Sequence, residues 1–150
     1  EFDVCSSDLV VTNVGTSHLE VFGTREKLSI EKLGITKYFH DKETVIIVNS
    51  DCDMLTRQKV SKIVPSGTAI LTVGSASDNN FIFRDIKDSG INGVSCILDV
   101  QTGDEDYDGT FELTIPVVGS HNLGNATLAI AAGTRLGIKP KDAILALGNT

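Results

Sequence analysis

Hydroxyl, imidazole, carboxylate and amine groups crowd into residues 12–35, TNVGTSHLEVFGTREKLSIEKLGI. Thr16, Ser17, His18 and Glu20 come just after Thr12-Asn13-Val14-Gly15, which ends Leu9-Val10-Val11, a run too short and too β-branched to be anything but a buried strand. Side chains that leave a parallel strand at its C-terminal end collect where ligands bind in open α/β sheets. Lys32 comes later in the stretch, on a helix expected to open near Thr24 and to fade near His40. There Leu28, Lys32, Ile35 and Phe39 are spaced by four, three and four residues, which puts them on one face. An amine inside an apolar stripe is either a snorkelling stem with its ammonium at the rim or a group held at the ligand edge, facing His18.

A second cluster is Gly119-Ser120-His121-Asn122-Leu123-Gly124-Asn125. Ser120 is expected to cap a helix, which the small residues from Ala126 continue until Gly137 stops it. Asn122 and Asn125 are three apart and share a face of the first turn. A carboxamide both donates and accepts, which matches the N6/N7 edge of adenine. The plain alternative is a structural asparagine near a cap, and His121 is read as an orienting or packing residue. Asp51 and Asp53 are expected to cap a helix over residues 54–63, a role compatible with a place beside the ligand site. Asp104, Glu105, Asp106 and Asp108 lack the spacing and terminal glutamate of a calcium loop, so they read as a solvated turn.

The elements that must hold these groups form an α/β pattern. Apolar runs at residues 44–48 and 69–73 read as buried parallel strands. From Asn79 the pattern changes, and residues 81–83, 93–100 and 110–117 read as strands in quick succession. Phe111, Leu113 and Ile115 alternate with Thr110, Glu112 and Thr114, a half-exposed antiparallel pattern. Residues 101–109, rich in Asp, Glu and Gly, make a hairpin turn, and Pro140 opens a last helix. The expected fold is α/β: a mostly parallel sheet with flanking helices plus a small antiparallel segment.

The 150 residues suffice for one domain with a single core. No apolar run approaches the ~18 residues of a membrane span, and no secretory leader opens the sequence. A net charge of −7 argues against nucleic acid or an anionic membrane as partner. Cys5, Cys52 and Cys96 are odd in number and scattered, which fits a reducing cytoplasm rather than a disulfide framework or a metal site.

T-N-V-G-T-S-H-L-E-V-F-G, with a lysine on the next helix fourteen residues after the histidine, resembles the ATPase domain of the Mur ligases. G-x-H-N-x-x-N resembles the adenine-contacting element of the same family. The likeness runs from Leu9 to about Leu147. It implies that residues 9–150 are the C-terminal half of a central, ATP-binding domain, the second half of a P-loop-type sheet, and that residues 1–8 are a non-native leader. ATP and Mg²⁺ are the cofactors it implies. His18 is then a metal ligand, Lys32 serves the same metal as a carbamate, and both count as catalytic; Glu20 orients His18. Asn122, Asn125 and Asn13 are the nucleotide-binding residues. The implied reaction is ATP-dependent amide formation through an acyl phosphate in peptidoglycan synthesis. The S-H-L-E and F-G-T-R-E forms point to members that add D-alanyl-D-alanine to a UDP-MurNAc-peptide. These two substrates are the implied partners, with no nucleic acid, no membrane insertion and a monomeric state.

Two positions depart from the family pattern: Ile30 stands where a lysine is common, and Gly34 where a glutamate is common. Gly34 costs its helix about 1 kcal/mol. No G-x-x-x-x-G-K-[ST] loop occurs in the sequence, so the 150 residues alone are expected to show negligible ligase activity. Folylpolyglutamate synthase and cyanophycin synthetase share the ATPase domain and stand as alternatives. A non-catalytic nucleotide-binding module with a degenerate site is the reading from a different class.

Overall fold

The computed structural model describes residues 8–16, 19–39 and 43–148. Six strands form one sheet in sequence order: β1 (Leu9–Val11), β2 (Val45–Asn49), β3 (Ala69–Gly74), β4 (Phe81–Asp88), β5 (Val94–Val100) and β6 (Gly109–Ile115). β1 to β4 pair in parallel, and β4, β5 and β6 pair antiparallel. This is the expected α/β sheet, with the antiparallel strands extending it at one side. A short helix α1 (Leu19–Phe22), which the sequence did not announce, precedes α2 (Arg25–Gly34). Thr24 caps α2 by accepting the Lys27 N–H at 3.2 Å. α3 (Arg57–Ser61) joins β2 to β3, and α4 (His121–Arg135) and α5 (Pro140–Gly148) follow β6. No described helix is long and apolar enough to cross a membrane.

Val45, Ile46, Ile47 and Val48 of β2 are all buried, because successive side chains enter two different cores. Val45 and Ile47 join Val73, Phe81, Leu98 and Leu113 beneath Leu123, Leu128 and Ile130 of α4. Ile46 and Val48 join Val11, Val14, Leu28, Leu33 and Val60 on the side of α2 and α3. The first core reaches β6; the second stops at the parallel strands. β5 therefore alternates, with Val94, Cys96, Leu98 and Val100 buried and Ser95, Ile97 and Asp99 half-buried. Burial pushes the Cys96 thiol up to about 11, so it packs as a small apolar group.

Three local expectations are corrected. The buried face of α2 is Leu28, Ser29 and Leu33, continued by Thr36, whereas Ile35 is 51% exposed and Lys32 stands on the flank. The chain tightens after Gly34 into a 3₁₀ turn (Ile35–Tyr38), which shifts the phase of the face. Ser29 and Thr36 tolerate burial because their hydroxyls donate to the carbonyls of Glu26 and Leu33. The helix expected over residues 54–63 shrinks to α3, capped by Thr56. β4 outruns its apolar start: beyond Phe83 it is exposed, and it bulges between Arg84 and Lys87 with Asp85 at φ 53°.

At the opposite end of the sheet, the Asp8 carboxylate accepts the Val45 N–H at 2.8 Å and pairs with Arg135 at 3.0 Å. Arg135 Nη2 also donates to the Glu43 carbonyl at 2.9 Å. Residues 1–7 of the expected leader, Cys5 among them, and His40 lie outside the described residues.

Candidate functional site

Val11 pairs with Val48, and Val48 with Thr72, so the C-terminal ends of β1, β2 and β3 lie side by side. Three loops leave this edge, and their polar groups meet there. Val14, wholly buried, anchors the loop after β1 in the second core. From α2, Lys32 Nζ donates to the Asn13 carbonyl at 3.3 Å. Arg25 donates to the next carbonyl, that of Val14, through Nη2 at 2.9 Å and Nε at 3.3 Å. The same guanidinium grips the Asp53 carboxylate in the loop after β2, at 2.7 and 3.2 Å. Its hydrogen bond to Asp53 raises the Arg25 pKa, and the same bond holds the Asp53 carboxyl below the usual carboxylate range. Cys52 Sγ lies 3.9 Å from both Arg25 Nη2 and the Val14 carbonyl.

Between β2 and β3 a second network forms. Asp51 Oδ1 accepts the Ser75 N–H at 2.9 Å and its hydroxyl at 3.0 Å. Ser50 Oγ bonds to Asn79 Oδ1, and Asn79, only 3% exposed, donates from Nδ2 to the Ala76 carbonyl at 2.9 Å. Gly74 sits in the middle. A Cβ there would lie 2.7 Å from Asp51 Oδ1 and 2.8 Å from Asn79 Nδ2, so only glycine lets these groups close over the strand end. Asp51 and Asp53 thus cap no helix. Their oxygens go to Ser75 and Arg25, and the cap falls to Thr56.

The N-terminus of α4 completes the edge. Gly124 faces the Asn49 amide at the end of β2, 3.5 Å from where a Cβ would stand. Ser120 is the residue before the helix, but it is already αR and its hydroxyl caps nothing. Gly119 takes φ 97°, and the His121 ring occupies the space a Cβ would need, 2.6 Å from its place. Asn122 is half-buried and donates from Nδ2 to the Val118 carbonyl at 2.8 Å. Asn125 is exposed, and its carboxamide bonds to no described residue.

Of the residues singled out in the sequence, Asn13 and Lys32 are therefore in contact. Asn122 and Asn125 stand at the same sheet edge on α4, and Glu20 is exposed on α1. Ser17 and His18 lie outside the described residues. The acidic turn after β5 is closed by Asp108, which accepts from Thr102 N, Thr102 Oγ1 and Gly103 N. Arg25, Ser50, Ser75 and Asn79 were not anticipated. Arg25 carried one signal: a cation in the first turn of a helix opposes the macrodipole, which implies a carboxylate partner nearby.

Among the described residues no group of three or more His, Cys, Asp or Glu could hold a metal ion. Lys32, as an ammonium, donates to a carbonyl instead of offering an oxygen ligand. The described residues do not by themselves fit a divalent cation.

A family model described as Mur ligase middle domain matches residues 7–133. The sequence is 31% identical over 134 residues to UDP-N-acetylmuramoyl-tripeptide–D-alanyl-D-alanine ligase of Bacillus subtilis, covering 89% of this chain and 26% of that protein. It is 29% identical over 144 residues to UDP-N-acetylmuramate–L-alanine ligase of Thermobifida fusca, covering 90% and 26%. Among solved structures, MurF from Acinetobacter baumannii superposes with a TM-score of 0.73 at 23% identity, over 93% of this chain and 28% of that one. The fold is therefore shared, and the chain spans about a quarter of the length of these relatives.

Proposed function

Since the chain belongs to the Mur ligase family through its middle domain, we propose that it is part of the ATP-binding domain of an ATP-dependent acid–amino-acid ligase of peptidoglycan precursor synthesis. On this reading residues 9–150 are the C-terminal half of that domain, and the enzyme is a cytoplasmic monomer. The observation that carries it is the Lys32 amine held against the loop that follows β1, at the ligand edge of a parallel sheet.

The substrates proposed are a UDP-MurNAc-tripeptide and D-alanyl-D-alanine. The Bacillus subtilis relative and the segment F-G-T-R-E support that pair. Similarity to L-alanine-adding ligases supports UDP-N-acetylmuramate and L-alanine as the second reading. ATP supplies the phosphoryl group that turns the substrate carboxylate into an acyl phosphate, which the incoming amine then attacks. Asn125, whose carboxamide bonds to no described residue, and Asn122 take the adenine edge at the start of α4. Asn13 keeps the turn after β1 beside the phosphates. Lys32 is proposed to serve as a carbamate together with His18 toward Mg²⁺. A carbamate cannot donate as an ammonium does, so the modification alters the bond to Asn13. The described residues do not assemble a site for the metal by themselves.

Phosphate release by the full-length ligase carrying this segment tests the reading. The tripeptide with D-alanyl-D-alanine sustains turnover, and UDP-N-acetylmuramate with L-alanine does not. Lys32→Ala lowers kcat by about 100-fold or more. Asn125→Ala raises the KM for ATP about tenfold and spares kcat. Turnover with L-alanine alone moves the chain to the second reading, and an active Lys32→Ala enzyme removes that residue from the chemistry. The 150-residue chain by itself releases no phosphate.

A further inference from the structure

Two cations of α2 hold successive carbonyls of one loop. Lys32 takes that of Asn13, and Arg25 takes that of Val14 with two nitrogens. Seven residues apart, they lie two turns apart on one side of the helix. Leu28 stands between them and shares a core with Val14. Arg25 alone reaches further. Its fork closes on both oxygens of Asp53, and Lys59 Nζ secures the Asp53 carbonyl at 2.7 Å. The loop after β1 is thereby joined to the loop after β2 through one guanidinium, at the edge where the site opens.

We propose that Arg25 is a positioning residue of the ligase site, acting with Asp53 as a tie that sets the β1 loop against the β2 loop and so fixes where Lys32 meets it. The inference rests on the ligase reading above. A planar guanidinium can serve a carbonyl and a carboxylate at once, whereas a lysine ammonium in its place is a point donor without the fork. When Lys32 exchanges its positive charge for a carbamate, Arg25 is the cation that still holds the loop. The register of the loop then does not depend on the chemical state of Lys32.

Two measurements test the tie. In the 150-residue chain, amide hydrogen exchange follows Cys52 and Leu55, whose N–H groups close the loop after β2. Arg25→Met and the exposed-site variant Asp53→Asn each speed exchange there about tenfold, while the amides of residues 46–48 keep their rates. In the full-length ligase both variants lower kcat by about 10- to 100-fold with the KM for ATP within about twofold. Arg25→Lys falls between, and Arg25→Met/Asp53→Asn is no slower than Arg25→Met alone. An active wild-type enzyme whose Arg25→Met and Asp53→Asn variants keep their kcat overturns the tie. So does exchange that accelerates equally throughout β2, which marks general destabilisation. A wild-type ligase without turnover refutes the function instead, and the exchange experiment then decides the tie by itself.

Discussion

In the parallel half of the sheet both faces are packed, and in the antiparallel half only one is. Neighbours Ile46 and Ile47 enter opposite cores, each fully buried. Neighbours Ile97 and Leu98 divide, one half-buried and one fully buried. The difference decides where polar groups can go. A strand covered on both sides has no room for them along its length, so they leave at its end. Asn13, Ser50, Asp51, Asp53 and Ser75 accordingly gather at one edge, where Lys32 and Arg25 meet them. A strand open on one side spreads its polar groups over that face, where they pair with neighbours. Arg84 bonds to Asp99 at 2.6 Å, and Asp99 accepts from Thr110 at 2.7 Å. The candidate site lies in the half that concentrates its polar groups.

Truncation of adjacent residues breaks or sharpens this contrast most strongly. Ile46→Ala and Ile47→Ala each cost about 2–5 kcal/mol, as does Leu98→Ala. Ile97→Ala costs about 1 kcal/mol or less, because its side chain keeps much of its water. Denaturant titration of the four variants checks it, and an equal loss at Ile97 and Leu98 would show that both faces of the antiparallel half are packed. Next comes Gly74→Ala, which forces a methyl group between Asp51, Asn79 and Ser50 and costs about 1–3 kcal/mol. Thermal unfolding reads it, and an unchanged midpoint would mean that the edge network yields freely.

Gly34→Ala goes the other way. The backbone there is helical, φ −60° and ψ −25°, and a Cβ meets nothing within 4 Å. The substitution stabilises by about 0.5–1 kcal/mol, seen as a higher denaturant midpoint. The smallest effect is electrostatic. The bond from Arg84, helped by Thr110, holds the Asp99 carboxyl below its usual range. Stability from this group is complete above the unfolded carboxylate pKa of about 3.9 and is lost as pH falls through the lower folded value. Asp99→Asn flattens the acid limb of the stability–pH curve in that window. The change is small because the pair is screened by solvent.

What could be read from the sequence was local. The apolar runs at residues 44–48 and 69–73, the alternation after Gly93 and the helix ended by Gly137 each depend on neighbours within a few positions, and each is where it was expected. Asn13, Lys32, Asn122 and Asn125 were singled out by motif, and the structure puts Lys32 on Asn13 and both asparagines on α4. The rest depends on partners far along the chain. Nothing near Asp51 separates a helix cap from an acceptor for Ser75, 24 residues on. Nothing near Arg25 names Asp53, 28 residues on. A constant helical period through Gly34 predicts the wrong face for the end of α2, because the backbone tightens there into a 3₁₀ turn. Ser120 was expected to cap because its type favours it, but Gly119 turns the chain so that the helix starts without a side-chain cap. The amide of Asn122 goes back to Val118 instead.

The pairing of Asp8 with Arg135 links positions 127 residues apart. The residue that leads into β1 gains this partner only once the chain as far as Arg135 is in place. Closing so long a loop carries the larger entropic penalty, whereas the β5–β6 hairpin closes over a short acidic turn. The hairpin is therefore expected to form before the first strand is locked. Arg135→Ala then quickens unfolding and leaves the rate of folding nearly untouched.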